Sequence, residues 1–251
     1  MNTRDPMDAV SAHCTEVVRA QGFCFVHADA MREALETVGA LGDWEAFAAS
    51  WETLAPDTYL EKTGRFRRRR HAVFEAAPDG TVTRAPHQPH YQSVAYNPLQ
   101  GDLERWFEPV TDAVATGHSL QTILRYAARF FGPMAPEVAR WRIEVHQFRI
   151  EARSDAAGEP TPEGVHRDGV DYVLVLMVDR QNIASGTTTI HRADGAELGS
   201  FTLTEALDTA LVDDARVFHG VTPVTAIDDA QPSHRDVLVV TLKRMEETPA
   251  G

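Results

Sequence analysis

Residues 171–178, Asp-Tyr-Val-Leu-Val-Leu-Met-Val, place apolar side chains at consecutive positions. Neighbouring side chains of a strand point to opposite faces, so a strand of this content has to be covered on both sides. Other segments of the second half read the same way. Residues 142–150 alternate, 187–191 and 198–203 flank the hairpin signal Asp194-Gly195, 215–221 form a short strand, and 235–242 form the last one. The first half has a different period. Asp5-Pro6 is a cap and first-turn pair for a helix whose face carries Val10, Cys14, Val17 and Val18. A strand is expected at 22–27. Helices follow from Asp29 (Met31, Leu35, Val38, Leu41) and from Asp43 (Trp44, Phe47, Trp51, Leu54). A fourth helical stripe is Leu103, Trp106, Phe107, Val110 and Val114, and Ser119 caps another with Leu120, Ile123, Leu124, Ala127 and Phe131. Helices first and strands afterwards imply an α+β chain in which helices cover a double sheet. Composition does not separate a jelly roll from another sandwich.

Between these halves, residues 64–83 read as a hairpin with Asp79-Gly80 at its turn. Its first strand contains Arg65 and the run 67–70, all arginine. Alternation sends half of these arginines to each face. The chain carries a net charge of −13, which argues against a nucleic-acid surface. The expectation is a salt-bridged strand in which any inward arginine could meet a substrate carboxylate. Cys14 and Cys24 make neither a disulfide framework nor a zinc pattern and read as reduced, buried residues. No apolar run approaches the ~20 residues of a membrane span, and the N-terminus has no signal-peptide core, so a cytoplasmic location is expected.

The chemistry concentrates at 164–169, Gly-Val-His-Arg-Asp-Gly. In extended backbone His166 and Asp168 point to one side, so an imidazole and a carboxylate can meet one metal ion. Two histidines and one carboxylate on one face of a metal, with open positions, is the ligand set of non-haem Fe(II) oxygenases. His219 is the best third ligand, on a short strand beside Gly220. The open positions of such a site take a 2-oxo acid and dioxygen. A dianionic co-substrate also needs a deep cation, and Arg235, followed on its face by Val237, Val239 and Thr241, fits that need. His-Arg-Asp is also a protein-kinase tripeptide. That motif needs Asn five residues after Asp168, where Val173 stands, and no Asp-Phe-Gly occurs. A second His-Arg-Asp, at 234–236, has no histidine after it. If Arg235 faces inward, His234 and Asp236 face outward.

Five segments carry a family resemblance: Glu-Val-His-Gln-Phe-Arg-Ile at 144–150, 164–169 itself, Gly-Thr-Thr-Thr-Ile at 186–190, Val-Asp-Asp-Ala-Arg-Val-Phe-His-Gly-Val at 212–221, and His-Arg-Asp-Val-Leu-Val-Val-Thr at 234–241. Tyr91-Gln92 and Asn-Pro-Leu-Gln-Gly at 97–101 add to it. The chain resembles the bacterial Fe(II)/2-oxoglutarate dioxygenases typified by L-isoleucine 4-hydroxylase. The resemblance implies a double-stranded β-helix (jelly roll) with N-terminal and flanking helices. A single domain over 1–251 is expected, helical to about residue 60 and with its jelly-roll core over about 64–245. It also implies Fe(II) on His166, Asp168 and His219, Arg235 on the distal carboxylate of 2-oxoglutarate, and O2 as oxidant. Some dioxygenases place Ser two residues after this arginine. Here Val237 stands there, leaving the second donor unassigned. Halogenating relatives lack the carboxylate, so Asp168 points to hydroxylation.

The implied reaction is hydroxylation of an unactivated C–H bond of a small, free, aliphatic L-amino acid, with release of succinate and CO2. Substrate contacts are expected from an inward arginine among residues 65–70, from Tyr91 and Gln92, and from Gln147 and Arg149. His146, alternating away from Gln147, and His191, near a turn, read as non-ligands. Two other readings stay open at this stage: a tailoring oxygenase of a carrier-bound or modified amino acid, and a silent jelly-roll binding protein. Neither nucleic acid nor membrane is expected as a partner, and oligomeric state has no signal.

Overall fold

The computed structural model describes residues 9–61 (61 for its backbone), 66–77, 80–97, 99 and 101–246. Asp5-Pro6, Gly64, Arg65 and Asp79, along with Pro98 and Gln100 of the 97–101 segment, lie outside the described residues. The helices are α1 (Ala9–Gln21), α2 (Ala28–Glu36), α3 (Trp44–Ala49), α4 (Thr58–Glu61), α5 (Asp112–Ala115) and α6 (His118–Phe131). The strands are β1 (Phe23–Val26), β2 (Ala55–Pro56), β3 (Arg67–Ala76), β4 (Val82–Arg84), β5 (Trp141–Ala152), β6 (Tyr172–Gln181), β7 (Ile183–Ser185), β8 (Thr187–His191), β9 (Glu197–Thr202), β10 (Thr209–Asp213), β11 (Phe218–Val221), β12 (Val224–Ala226) and β13 (Ser233–Arg244).

The large sheet runs β1-β10-β6-β13-β5-β3-β2, with β4 added on β3, and its strand pairs are antiparallel. The two longest strands, β5 and β13, are neighbours at its centre, paired from Ser233↔Ala152 to Arg244↔Trp141. Smaller sheets, β11-β8-β9 and β12-β7, complete the strand set.

Side-chain parity divides the large sheet into two environments. One face carries Ala72 and Phe74, Ile143 and Val145, Leu174 and Leu176, Leu211, and Leu238, Val240 and Leu242. It packs with Val18 of α1, Met31 and Leu35 of α2, Phe47 of α3, and Leu120, Ile123, Leu124 and Phe131 of α6 into the main core. The other face carries Val173, Val175, Ala210, Val212, Val237, Val239, Phe148 and Ile150 and walls a cavity of about 620 Å³. Thr188 of β8 and His219 and Val221 of β11 also line this cavity. Residues 172–178 are apolar on both sides because one side meets helices and the other the cavity wall.

Three local expectations change. Residues 103–110 are not helical. His71 donates its backbone N–H to Glu108 O and accepts from Val110 N, so this segment runs along β3 instead. Pro109 explains it, since proline lacks the donor a helix interior needs and biases Glu108 to extended backbone. Ser119 is not the cap of α6, because the cap position belongs to Gly117. Asp43 satisfies this helix start from another segment, accepting from Ser119 N (2.8 Å) and Ser119 Oγ (2.5 Å). The 215–221 strand shortens to β11 because residues 214–216 form a turn before it.

Candidate active site

Residues 164–169 are not a strand of any of the three sheets. They form a loop with a single antiparallel bridge, His166↔His219. Gly164 (φ +82°) and Gly169 (φ +79°) bound it, both in the left-handed region that glycine adopts without cost. Within it His166 and Asp168 do share a side. His166 Nε2 is 3.3 Å from Asp168 Oδ1, and His219 Nε2 is 3.7 Å from Asp168 Oδ2. A ligand atom from each of the three lies within 4.8 Å of the others, a donor set of the composition and size that holds one divalent metal ion. His166 Nδ1 is 3.0 Å from Gly164 O. A carbonyl only accepts, so Nδ1 carries the proton and Nε2 is the metal-facing atom. Arg167 points away, donating to Ala215 O.

The surrounding charges tune this group. Burial lowers an imidazole, but Asp168 and Glu163 outweigh it and raise His166 to about 9. Burial opposes ionisation of Asp168, yet the His166 hydrogen bond and the neighbouring imidazoles hold it at about 2. Burial brings His219 down to about 4. Asp214 anchors the loop. Its carboxylate accepts from the backbone N–H groups of Asp168 (2.9 Å), Gly169 (2.8 Å) and Val170 (3.1 Å). It also lies 3.8 Å from His219 Nδ1, a buried atom with no hydrogen-bond partner. Sequence reasoning missed this role. Its signal was the second Asp of 213–214, five residues before the histidine.

Arg235 enters the same cavity from β13, opposite Ile150 of β5 and Arg180 of β6. The register with β6 skips Val178, a bulge beside this arginine. Arg235 is 2 % exposed and its Nε has no partner. Burial lowers it to about 10, with Arg180 adding to the effect. Among the described residues no carboxylate pairs with it. A buried guanidinium without a counter-charge is costly unless a ligand supplies one. As parity required, His234 and Asp236 point the other way, to Asp179 and Arg149.

Gln92 reaches the site, its Nε2 at 3.4 Å from Asp168 O and 3.5 Å from Oδ1, while its Oε1 accepts from Asn97 and Arg105. Tyr91 lies at the mouth, half exposed and bonded to Asp102. Gln147 and Arg149 are not brought to the cavity. They face the helical layer, Gln147 donating to Ser50 Oγ and Arg149 forming ion pairs with Glu52 and Asp236. The opposite parity of β5, Arg142, Glu144, His146, Phe148 and Ile150, lines the cavity instead. Of the arginine run, Arg67 and Arg69 face inward, whereas Arg68 pairs with Glu151 and Arg70 donates to Thr53 O.

A second cluster occupies that wall. Glu144 Oε2 accepts from His71 Nε2 (2.9 Å) and His90 Nδ1 (2.7 Å), and His146 Nδ1 accepts from Arg69 Nη2 (2.7 Å). Burial lowers His71, His146 and His90, the last to about 4, and Glu144 lies well below the usual carboxylate range despite its burial, held there by His71 and His90. With Arg69 and Arg142 against it, this is a hydrogen-bonded network in a positive field rather than a second cation site.

Comparison with known proteins places this geometry. A sequence model described as 2OG-Fe dioxygenase matches residues 48–241. The chain is 27 % identical over 242 residues to a 3(1)-hydroxy-L-isoleucine 4-dioxygenase of Pantoea ananatis, covering 92 % of this chain and 95 % of that protein. It is 28 % identical to an L-isoleucine-4-hydroxylase of Bacillus thuringiensis, covering 62 % and 66 %. Among solved structures, a bsmA homolog from Methylobium petroleophilum PM1 superposes with a TM-score of 0.83 at 36 % identity, covering 96 % of each chain. IDO from Bacillus thuringiensis gives 0.75 at 17 % identity, covering 98 % of this chain and 100 % of that one. An enzyme that uses Fe(II), 2-oxoglutarate and O2 is thereby indicated, and the chain belongs to the 2OG-Fe dioxygenase family.

Proposed function

We propose that this enzyme hydroxylates an unactivated C–H bond of a small, free, aliphatic L-amino acid, releasing succinate and CO2. In this reading the two sheet systems form one jelly-roll domain around the cavity. The observation that carries the reading is the pairing, in one cavity, of the His166/Asp168/His219 donor set with Arg235, a buried cation without a counter-charge among the described residues. The amino acid hydroxylases and dioxygenases among its relatives support the substrate class.

His166 Nε2, Asp168 and His219 would hold Fe(II), which when bound with 2-oxoglutarate and O2 would supply the oxidising power for C–H hydroxylation. Arg235 holds the distal carboxylate of the co-substrate through two parallel N–H donors. Gln92 and Asp214 keep Asp168 turned inward, one by its side chain and the other by its backbone. Val173, Val175, Val237 and Val239 keep this part of the cavity dry and apolar, which suits an aliphatic side chain.

Succinate formation against a panel of L-amino acids, with mass spectrometry of products, tests the reading. A product 16 Da heavier than one aliphatic member is expected. Asp168→Ala abolishes 2-oxoglutarate turnover, and Arg235→Met raises KM for 2-oxoglutarate at least about 100-fold. Undiminished turnover by Asp168→Ala would defeat the assignment. Product formation from a carrier-bound amino acid alone would replace the free substrate with a tethered one.

A further inference from the structure

Asp57 stands between two guanidiniums on the cavity wall. Arg67 takes its Oδ2 through Nη2 (2.8 Å) and Nε (3.2 Å), leaving Arg69 Nη1 at 3.6 Å from the same oxygen. Glu144, a carboxylate that does line the cavity near Arg69, is already committed to His71 and His90 through Oε2 and to Arg142 through Oε1. Two cations therefore share one carboxylate, and Arg69 receives the weaker share.

Arg69 is also held rigidly. Its Cζ lies 3.6 Å from the ring centre of Phe107 and 4.6 Å from that of Phe148. Nη2 is fixed by His146 Nδ1 at 2.7 Å. The side chain is 2 % exposed, and Nε is buried with no hydrogen-bond partner. A clamped, buried guanidinium with a spare N–H and half a counter-ion, on the wall of a ligand cavity, is prepared for an anion.

2-Oxoglutarate does not supply that anion. It has two carboxylates, and in the proposed reading one belongs to the metal end and the other to Arg235. Arg69 lies on β3, two strands from β13, a lateral offset of about 10 Å. A second ligand must bring the charge. We infer that Arg69 is the seat of the substrate's carboxylate, so that the cavity selects a substrate whose carboxyl group is free. The inference rests on the reading of Arg235 given above. It identifies a residue that decides specificity, and it separates a free acid from a carrier-tethered thioester or an amide, which brings no charge to this position. Arg67 is a weaker candidate because its charge is already neutralised at hydrogen-bond distance, and Arg142 because it is spent on Glu144 and Gln88.

The test measures binding rather than turnover. The full chain, loaded anaerobically with Fe(II) and 2-oxoglutarate, is titrated by calorimetry with the common L-amino acids and their carboxamides. At least one amino acid binds, and its carboxamide binds at least about 100-fold more weakly. Arg69→Met weakens the amino acid by a similar factor, leaves the carboxamide unchanged and leaves 2-oxoglutarate affinity within about twofold, whereas Arg69→Lys recovers part of the loss. A merely structural role for Arg69 would weaken acid and amide alike. The inference is overturned if the carboxamide binds as well as the acid, if no amino acid binds, or if Arg69→Met leaves their ratio unchanged. If Arg69→Met does not fold, Arg69→Lys decides: a weaker acid with the carboxamide unchanged supports the inference, and an unchanged acid-to-amide ratio overturns it. Failure of the parent reading looks different: no charge-transfer band on adding Fe(II) and 2-oxoglutarate, and no succinate from any substrate.

Discussion

His166 and His219 exchange backbone hydrogen bonds, each N–H donating to the other's carbonyl at 2.9 Å. Fifty-three residues of chain separate them, yet this reciprocal pair holds their rings at 4.7 Å between centres. The geometry of the donor set therefore depends on how closely the 164–169 loop can approach strand β11, and glycine controls that approach. A Cβ on Gly220 would lie 3.0 Å from Val165 Cγ2 and 3.3 Å from Val165 Cα.

Gly220→Val is accordingly expected to push the 164–166 segment away and weaken Fe(II) binding about 10- to 100-fold, with a loss of stability of about 1–3 kcal/mol. Fe(II) titration and chemical denaturation of the variant measure both. Unchanged iron affinity would show that the bridge does not set the ligand geometry.

Asp214 leaves three backbone donors orphaned when it is removed. Asp214→Ala should cost about 2–4 kcal/mol of stability and weaken Fe(II) about 10- to 100-fold without removing a ligand. Asp214→Asn, which keeps one acceptor, should be milder. An equal loss of affinity in both variants, with stability unchanged, would point to direct ligation instead.

Arg149 belongs to the helical side of β5. Arg149→Met leaves Asp236 buried without its partner and should destabilise the chain by about 3 kcal/mol. The KM for the substrate should stay within about twofold, because this side chain does not reach the cavity. A tenfold rise in KM with stability intact would restore Arg149 to the substrate site.

The buried histidines of the cavity wall set an acid limit. His90 titrates at about 4 in the folded chain against 6.5 unfolded, and His71 and His146 are displaced in the same direction. A depressed histidine means the unfolded state binds the proton first. Stability is then complete above pH 6.5 and falls as pH drops from 6.5 towards 4. His90 alone contributes on the order of 3 kcal/mol to that fall. Urea midpoints at pH 7.5, 6 and 5 should decrease in turn, and His90→Phe should flatten the slope. A pH-independent midpoint over this range would contradict the buried, neutral state of these rings.

Much of the site was legible because its signals are local. Alternation alone placed His166 and Asp168 on one side with Arg167 opposite, and put Arg235 on the side opposite to His234 and Asp236. Turn and stripe chemistry marked α2, α3 and the β8–β9 hairpin, where Gly195 takes φ +85° at the turn. The misreadings came from context. The stripe at 103–114 has a helical period, but Pro109 and pairing with His71 keep 103–110 out of a helix, and only 112–115 are helical. On β5 alternation correctly separated His146 from Gln147. It could not say which parity faced the site, and the choice of Gln147 and Arg149 took the helical side.

By itself, then, the sequence pointed to the family, the metal donor set as a candidate group, and the relative parity of strand residues away from bulges, because parity follows from backbone geometry alone. Only the tertiary structure decided which parity is the cavity, that Asp214 staples the 164–169 loop, and that Asp57 bonds Arg67 more closely than Arg69. Those outcomes depend on which layer covers each face and on which carboxylate each guanidinium meets, and both are set by residues far apart in the chain.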